Sequence, residues 1–162
     1  MTQPLHPQQS AHQPSTDQPF AHPPSLSPAA VRRRPVVSRW FLTAALTLHA
    51  VVALAQPVLI GGYLDGNFDL VTVHGINGSL LMACAFLAAV TAVVYWIAGG
   101  RGWPALTVAG VWCAEFVQLV LGYTRVLSVH VVLGVLIVGS AVALAAWSWS
   151  AAAGRGRQGW WR

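Results

Sequence analysis

Val73-His74-Gly75-Ile76-Asn77-Gly78-Ser79-Leu80 and Val129-His130-Val131-Val132-Leu133-Gly134-Val135-Leu136 carry one pattern, V-H-x-x-x-G-x-L, and each opens a long apolar run. A histidine and a glycine one turn later share a helix face, so each copy offers an imidazole beside backbone that no side chain covers. Neutral imidazole is a standard axial ligand of haem, and glycine lets a flat macrocycle come close to a helix. The spacing therefore points to a single haem b held between His74 and His130, with Gly78 and Gly134 beside it. The competing reading has each histidine snorkelling or capping near an interface.

The elements that must position these residues follow from composition. Of 162 residues, 56% are apolar and only 8% charged, which excludes an ordinary soluble domain. Four apolar segments are long enough to span roughly 30 Å of hydrocarbon: about 38–63, 70–98, 103–123 and 126–150. Short connections make the expected fold all-α, an integral membrane four-helix bundle running up, down, up, down over 38–150. Residues 1–37, rich in Pro, Gln, Ser and His, read as a disordered cytoplasmic tail, and 151–162 as a short basic and aromatic tail. The tail histidines His6, His12 and His22 lack the spacing and the Cys or carboxylate neighbours of a metal site. No apolar h-region precedes Arg32, so the first span reads as a signal anchor and not as a cleavable signal peptide.

Lys is absent, and the arginines set the orientation. Arg32, Arg33, Arg34, Arg39, Arg101, Arg155, Arg157 and Arg162 fall on one side of such a bundle, and Arg125 alone on the other with Asp65 and Asp69. The positive-inside rule then makes both termini cytoplasmic, in a bacterial cytoplasmic (inner) membrane. Trp40, Trp96, Trp103, Trp147 and Trp149 form the expected inner aromatic belt, and Tyr63, Phe68 and Tyr123 the outer one. Trp160-Trp161-Arg162 reads as a terminal interfacial anchor or as a loose tail. His74 and His130 lie at one depth, roughly 6 Å below the outer boundary at 1.5 Å per residue.

The helices preceding the histidines repeat as well. Gln56-Pro57-Val58-Leu59-Ile60-Gly61-Gly62-Tyr63 echoes Gln118-Leu119-Val120-Leu121-Gly122-Tyr123, which makes the chain a duplicated hairpin with pseudo-twofold symmetry about the membrane normal. Gln56 and Gln118 should face the core, where an amide can bond a histidine ring nitrogen, a water or a backbone carbonyl, or simply join helices. Pro57 should bend the first helix by removing its bond to Ala53.

This plan, Gln…Gly followed by an outer-end His opening the next helix, twice in four helices, resembles one four-helix half of the heme A synthase family and small bacterial four-helix proteins of the same pattern. The likeness covers about Leu48 to Leu144. It implies that His74 and His130 are haem ligands. The family joins two such halves and carries an acidic residue about one turn before the first histidine. Here Leu70 and Val71 occupy the nearby positions and Asp69 lies further out, so the resemblance implies holding a haem more than oxidising its methyl group.

Outside the repeat, His49 and Glu115 each lie about eleven residues from the inner boundary, roughly 16 Å deep. Ionisable groups at that depth face the bundle interior and pair, so a His49–Glu115 contact is expected, either as a proton relay or substrate contact or as a polar clasp. Arg125 stands five residues before His130, where its guanidinium can bond a haem propionate or pair with Asp65 or Asp69. Asp65-Gly66-Asn67-Phe68-Asp69 lacks the glycine and closing glutamate of a calcium loop. Cys84 and Cys113 read as small core residues.

No nucleotide loop or nucleophile elbow is present, and the positive charge sits in membrane flanks, which leaves no case for nucleic-acid binding. The leading expectation is a small cytochrome b-like protein moving electrons near the outer face, with membrane lipid around it and a quinone or redox protein as partner. The alternative is a haem-free multi-pass membrane protein, a structural or accessory subunit or a proton-coupled small-solute module using His49 and Glu115.

Overall fold

A computed structural model describes residues 28–155. Four helices follow one another: α1 (Pro28–Leu64), α2 (Leu70–Ile97), α3 (Trp103–Tyr123) and α4 (Leu127–Trp149), with a 3₁₀ turn at Ala151–Gly154. All four contain a stretch long and apolar enough to cross a membrane, that of α1 being Val36–Leu64. The limits of α2, α3 and α4 agree with the apolar runs to within one residue. That of α1 does not, since the helix begins ten residues before Ser38, inside the stretch expected to be disordered. Pro28 can occupy a first helical position because its missing N–H is unused there, and Ala29-Ala30-Val31-Arg32-Arg33-Arg34 is mostly strong helix formers. The remainder of that tail, with His6, His12 and His22, and the Trp160-Trp161-Arg162 ending lie outside the described residues. The helix continues through Pro57 without interruption.

The first three helices stop in the same way. After α1, Gly66 N–H bonds Tyr63 O at 3.1 Å and Asn67 N–H bonds Gly62 O at 3.1 Å. After α2, Gly99 bonds Trp96 O at 3.0 Å and Gly100 bonds Tyr95 O at 2.9 Å. After α3, Arg125 bonds Gly122 O at 3.2 Å and Val126 bonds Leu121 O at 3.0 Å. This crossed pair of bonds is the Schellman closure, which needs a left-handed residue at its centre. Gly66 (φ 102°) and Gly99 (φ 99°) supply it at little cost, whereas the third is Arg125 (φ 60°), a residue with a Cβ.

Packing closes the helices into a ring: α1 on α2, α2 on α3, α3 on α4 and α4 on α1, with α1 facing α3 and α2 facing α4 across the interior. Small buried residues, Ala45 and Ala53 on α1 and Ala85, Ala88 and Ala92 on α2, let these two backbones approach closely, the device that helices use where apolar surroundings give no drive to associate. Outward faces carry large exposed apolar side chains such as Phe41, Val58, Phe86, Leu106 and Val135.

One end of the bundle gathers tryptophans and ties down the end of α4. Trp103 stacks edge-on against Trp147 at 4.7 Å and Trp40 against Trp149 at 5.9 Å. Tyr95 Oη donates to Ala153 O at 2.8 Å, Arg39 Nη2 to Ser150 O at 3.3 Å and Thr43 Oγ1 to Ser148 O at 3.3 Å, so carbonyls that the helix end leaves unbonded find donors. We call this the tryptophan end. The opposite one, with the α1–α2 and α3–α4 connections and the Tyr63–Phe68 contact at 5.8 Å, is the histidine end.

The α1–α2 seam makes a direct prediction. Ala88 is fully buried, so Ala88→Leu should overpack the seam and destabilise the fold by about 1–3 kcal/mol. Val93, outward on the same helix, should accept leucine without effect; thermal unfolding in detergent followed by circular dichroism compares the two.

Candidate functional site

At the histidine end, the first turns of α2 and α4 bring His74 and His130 face to face across the interior. Their ring centroids are 6.2 Å apart and their planes make an angle of 62°. Both side chains are half-buried. His74 Nδ1 lies 3.3 Å from Gln56 O, and His130 Nδ1 lies 3.0 Å from Gln118 O. A backbone carbonyl can only accept, so in each ring Nδ1 carries the hydrogen and Nε2 presents a lone pair. The same bond, from equivalent residues of the two repeats, fixes both tautomers alike. Two neutral imidazoles on facing helices can thus offer two axial nitrogens to one metal centre.

The glutamines act through more than their carbonyls. Gln118 Nε2 donates to His130 O at 2.8 Å, so Gln118 and His130 are bonded twice. A Cβ at Gly134 would come 2.8 Å from Gln118 Nε2, and one at Gly78 3.2 Å from Gln56 Nε2. The glycine one turn after each histidine is therefore not bare backbone: its surface is covered by the glutamine amide of the preceding helix. Gly122 makes room for the imidazole itself, since a Cβ there would stand 3.0 Å from His130 Cε1. The copies differ at this point, because Gly62 faces the Leu70 side chain.

Asn77 belongs to this end, although the histidine pattern alone does not single it out. Its Nδ2 donates to Val52 O at 3.0 Å, joining α2 to α1 one turn below His74. Its position, three residues after His74 on an otherwise apolar helix, was the available signal. Arg125 is exposed, and among the described residues no ion pair joins it to Asp65 or Asp69.

Across the other diagonal, His49 Nε2 of α1 lies 2.6 Å from Glu115 Oε1 of α3, with the two residues 1% and 4% exposed. Their second polar atoms, His49 Nδ1 and Glu115 Oε2, are buried without a hydrogen-bond partner, as are Gln56 Oε1 and Gln118 Oε1. Cys84 is buried and Cys113 exposed, both as free thiols. Among the described residues no three or more His, Cys, Asp or Glu side chains converge on a metal-sized site.

The tautomer assignment is open to test. Histidine ¹⁵N spectra of the protein in detergent at neutral pH should show His74 and His130 with Nδ1 protonated and Nε2 pyridine-like, and the His130 signal should be altered by Gln118→Leu, which removes one of its two ties to α3. The opposite tautomer would break the link between repeat and ligand geometry. Comparison with known proteins finds no matching family model, no matching curated protein and no matching solved structure.

Proposed function

We propose that this chain is a small cytochrome b-like membrane protein, a duplicated hairpin forming an up-down-up-down bundle in a bacterial cytoplasmic membrane with both termini cytoplasmic. It holds one haem b between α2 and α4 through His74 and His130 and passes electrons near the outer face. The observation that carries this reading is the facing pair of imidazoles whose Nδ1 atoms are both engaged by backbone carbonyls. A metal centre ligated by both Nε2 atoms would sit between these two rings, whose centroids are 6.2 Å apart. Two nitrogens alone suit a planar cofactor that brings its own equatorial donors better than a bare tetrahedral ion, which wants four protein ligands. A bis-imidazole haem supplies reversible one-electron chemistry at its iron.

The chain's own residues divide the work. His74 and His130 would bind the cofactor, and the Gln56 and Gln118 carbonyls orient them. The Gln56 and Gln118 amides lie on Gly78 and Gly134, so these two glycines let the preceding helices close on the histidines. Arg125 stands ready for a propionate. Its left-handed backbone supports this role, because glycine closes the two other helix ends and an arginine there is strained. A single haem near one face does not complete a path across the bilayer, so a quinone or a redox protein is the partner that the proposal requires, in addition to lipid. The resemblance to a heme A synthase half agrees with the ligand pair.

Expression with haem supply, purification in detergent and optical spectroscopy test the proposal. One haem per chain is expected with a six-coordinate b-type spectrum, lost in both His74→Ala and His130→Ala; well-folded protein without Soret absorption would end it. Arg125→Gly should raise the stability of the haem-free protein by about 1 kcal/mol, by relieving left-handed strain, while weakening haem affinity about tenfold through loss of one charge-assisted contact. Thermal unfolding and haem transfer to apomyoglobin measure the two effects.

A further inference from the structure

We propose that His49 and Glu115 form a proton relay open only to the histidine end of the bundle, with bridging waters held by the side-chain carbonyls of Gln56 and Gln118. This inference goes beyond the haem reading and does not depend on it.

It begins from proton counting. A pair buried this deeply avoids a net charge, so Nε2 and Oε1 share one proton across their 2.6 Å contact. Whether that proton sits on the carboxyl or on the imidazole, a neutral pair has a second hydrogen, on Nδ1. A proton can therefore enter only at Glu115 Oε2 and leave only from His49 Nδ1. When one arrives on Oε2, the shared proton moves from Oε1 to Nε2, and the Nδ1 proton departs; one proton has entered and one has left. Those two atoms are the ones that have no hydrogen-bond partner. Buried polar atoms in native proteins are nearly always satisfied, by water where protein supplies nothing.

The direction of the path comes from what flanks the pair. Gln56 follows His49 by two turns on the same face of α1, and Gln118 follows Glu115 by one turn on the same face of α3. Their Oε1 atoms are buried and unpartnered too. Four of the buried orphan polar atoms thus belong to the pair and to the two glutamines that lie between it and the histidine end. Toward the tryptophan end the interior is mostly aliphatic, with Leu42, Leu46, Ala88, Val108, Ala141 and Leu144 all at most 4% exposed, and the buried hydroxyls there, Thr43 and Ser148, already donate to the carbonyls of Ser148 and Ala145. Titratable groups on the packed elements are few. From α2, Cys84 is within electrostatic reach of Glu115. His74 on α2 and His130 on α4 stand at the histidine end, and Tyr95 on α2, whose hydroxyl donates to Ala153 O, stands at the tryptophan end; α3 adds Cys113, which is exposed, and Tyr123 at its last residue, and on α1 Arg39 and Tyr63 stand at opposite ends.

Exchange kinetics test the relay in the purified full-length protein. Glu115 is the only glutamate of the chain, so ¹³C-glutamate labelling reports on its carboxyl alone in infrared spectra, while ¹⁵N-histidine spectra follow the His49 Nδ1 hydrogen. After transfer to D₂O the pair's hydrogens should exchange at least tenfold faster than the amides of the buried helix segments around them. In Gln56→Leu/Gln118→Leu the exchange should slow at least tenfold. Wild-type exchange no faster than the core amides would overturn the relay, and this measurement stands even if the double variant does not fold. An unchanged rate in a folded double variant would overturn the path through the glutamines and with it the one-ended access.

Discussion

The hydrogen bond from each imidazole Nδ1 to a backbone carbonyl of the preceding helix is the contact on which the histidine end depends. In apolar surroundings an imidazole with neither nitrogen engaged would be costly, and one with both engaged could bind nothing. Bonding Nδ1 to Gln56 O and to Gln118 O resolves the conflict in both copies by the same means. It also ties α2 to α1 and α4 to α3, so the bond that fixes each imidazole is part of what joins each pair of helices.

A ring of four helices has two diagonals, and each is used once. Across one, His74 and His130 face each other with donor hydrogens turned back into the protein; across the other, His49 and Glu115 meet directly and hold α1 to α3 at mid-depth. Toward the tryptophan end aliphatic packing dominates, and the buried hydroxyls of Thr43, Ser148 and Tyr95 donate to backbone carbonyls.

Much of this was legible in the sequence because the relevant constraint was periodic or one-dimensional. Length and apolarity delimit α2, α3 and α4, and the repeated pattern puts His74 and His130 in the first turns of α2 and α4. The isolation of His49 and Glu115 in apolar helices leaves each with little choice but the other. What was not legible depended on three-dimensional reach. The glycines Gly78 and Gly134 looked like open backbone because spacing cannot say that a glutamine from the preceding helix lies over them. The backbone oxygens of Gln56 and Gln118 carry the histidine bonds, and a main-chain acceptor leaves no trace in residue type. The start of α1 was hidden by Pro and Gln in the surrounding tail, which outweighed the short Ala and Arg run that favours helix. The left-handed Arg125 was hidden because the sequence signal for that conformation is glycine, and here it is missing.

The central claim is that the two repeats converge on a single bis-imidazole site, and electron paramagnetic resonance of the ferric, haem-loaded protein addresses it most directly. With ¹⁵N-histidine labelling the account predicts one low-spin centre with hyperfine coupling to two imidazole nitrogens, one from His74 and one from His130. A high-spin five-coordinate centre, or coupling to a single imidazole, would contradict it.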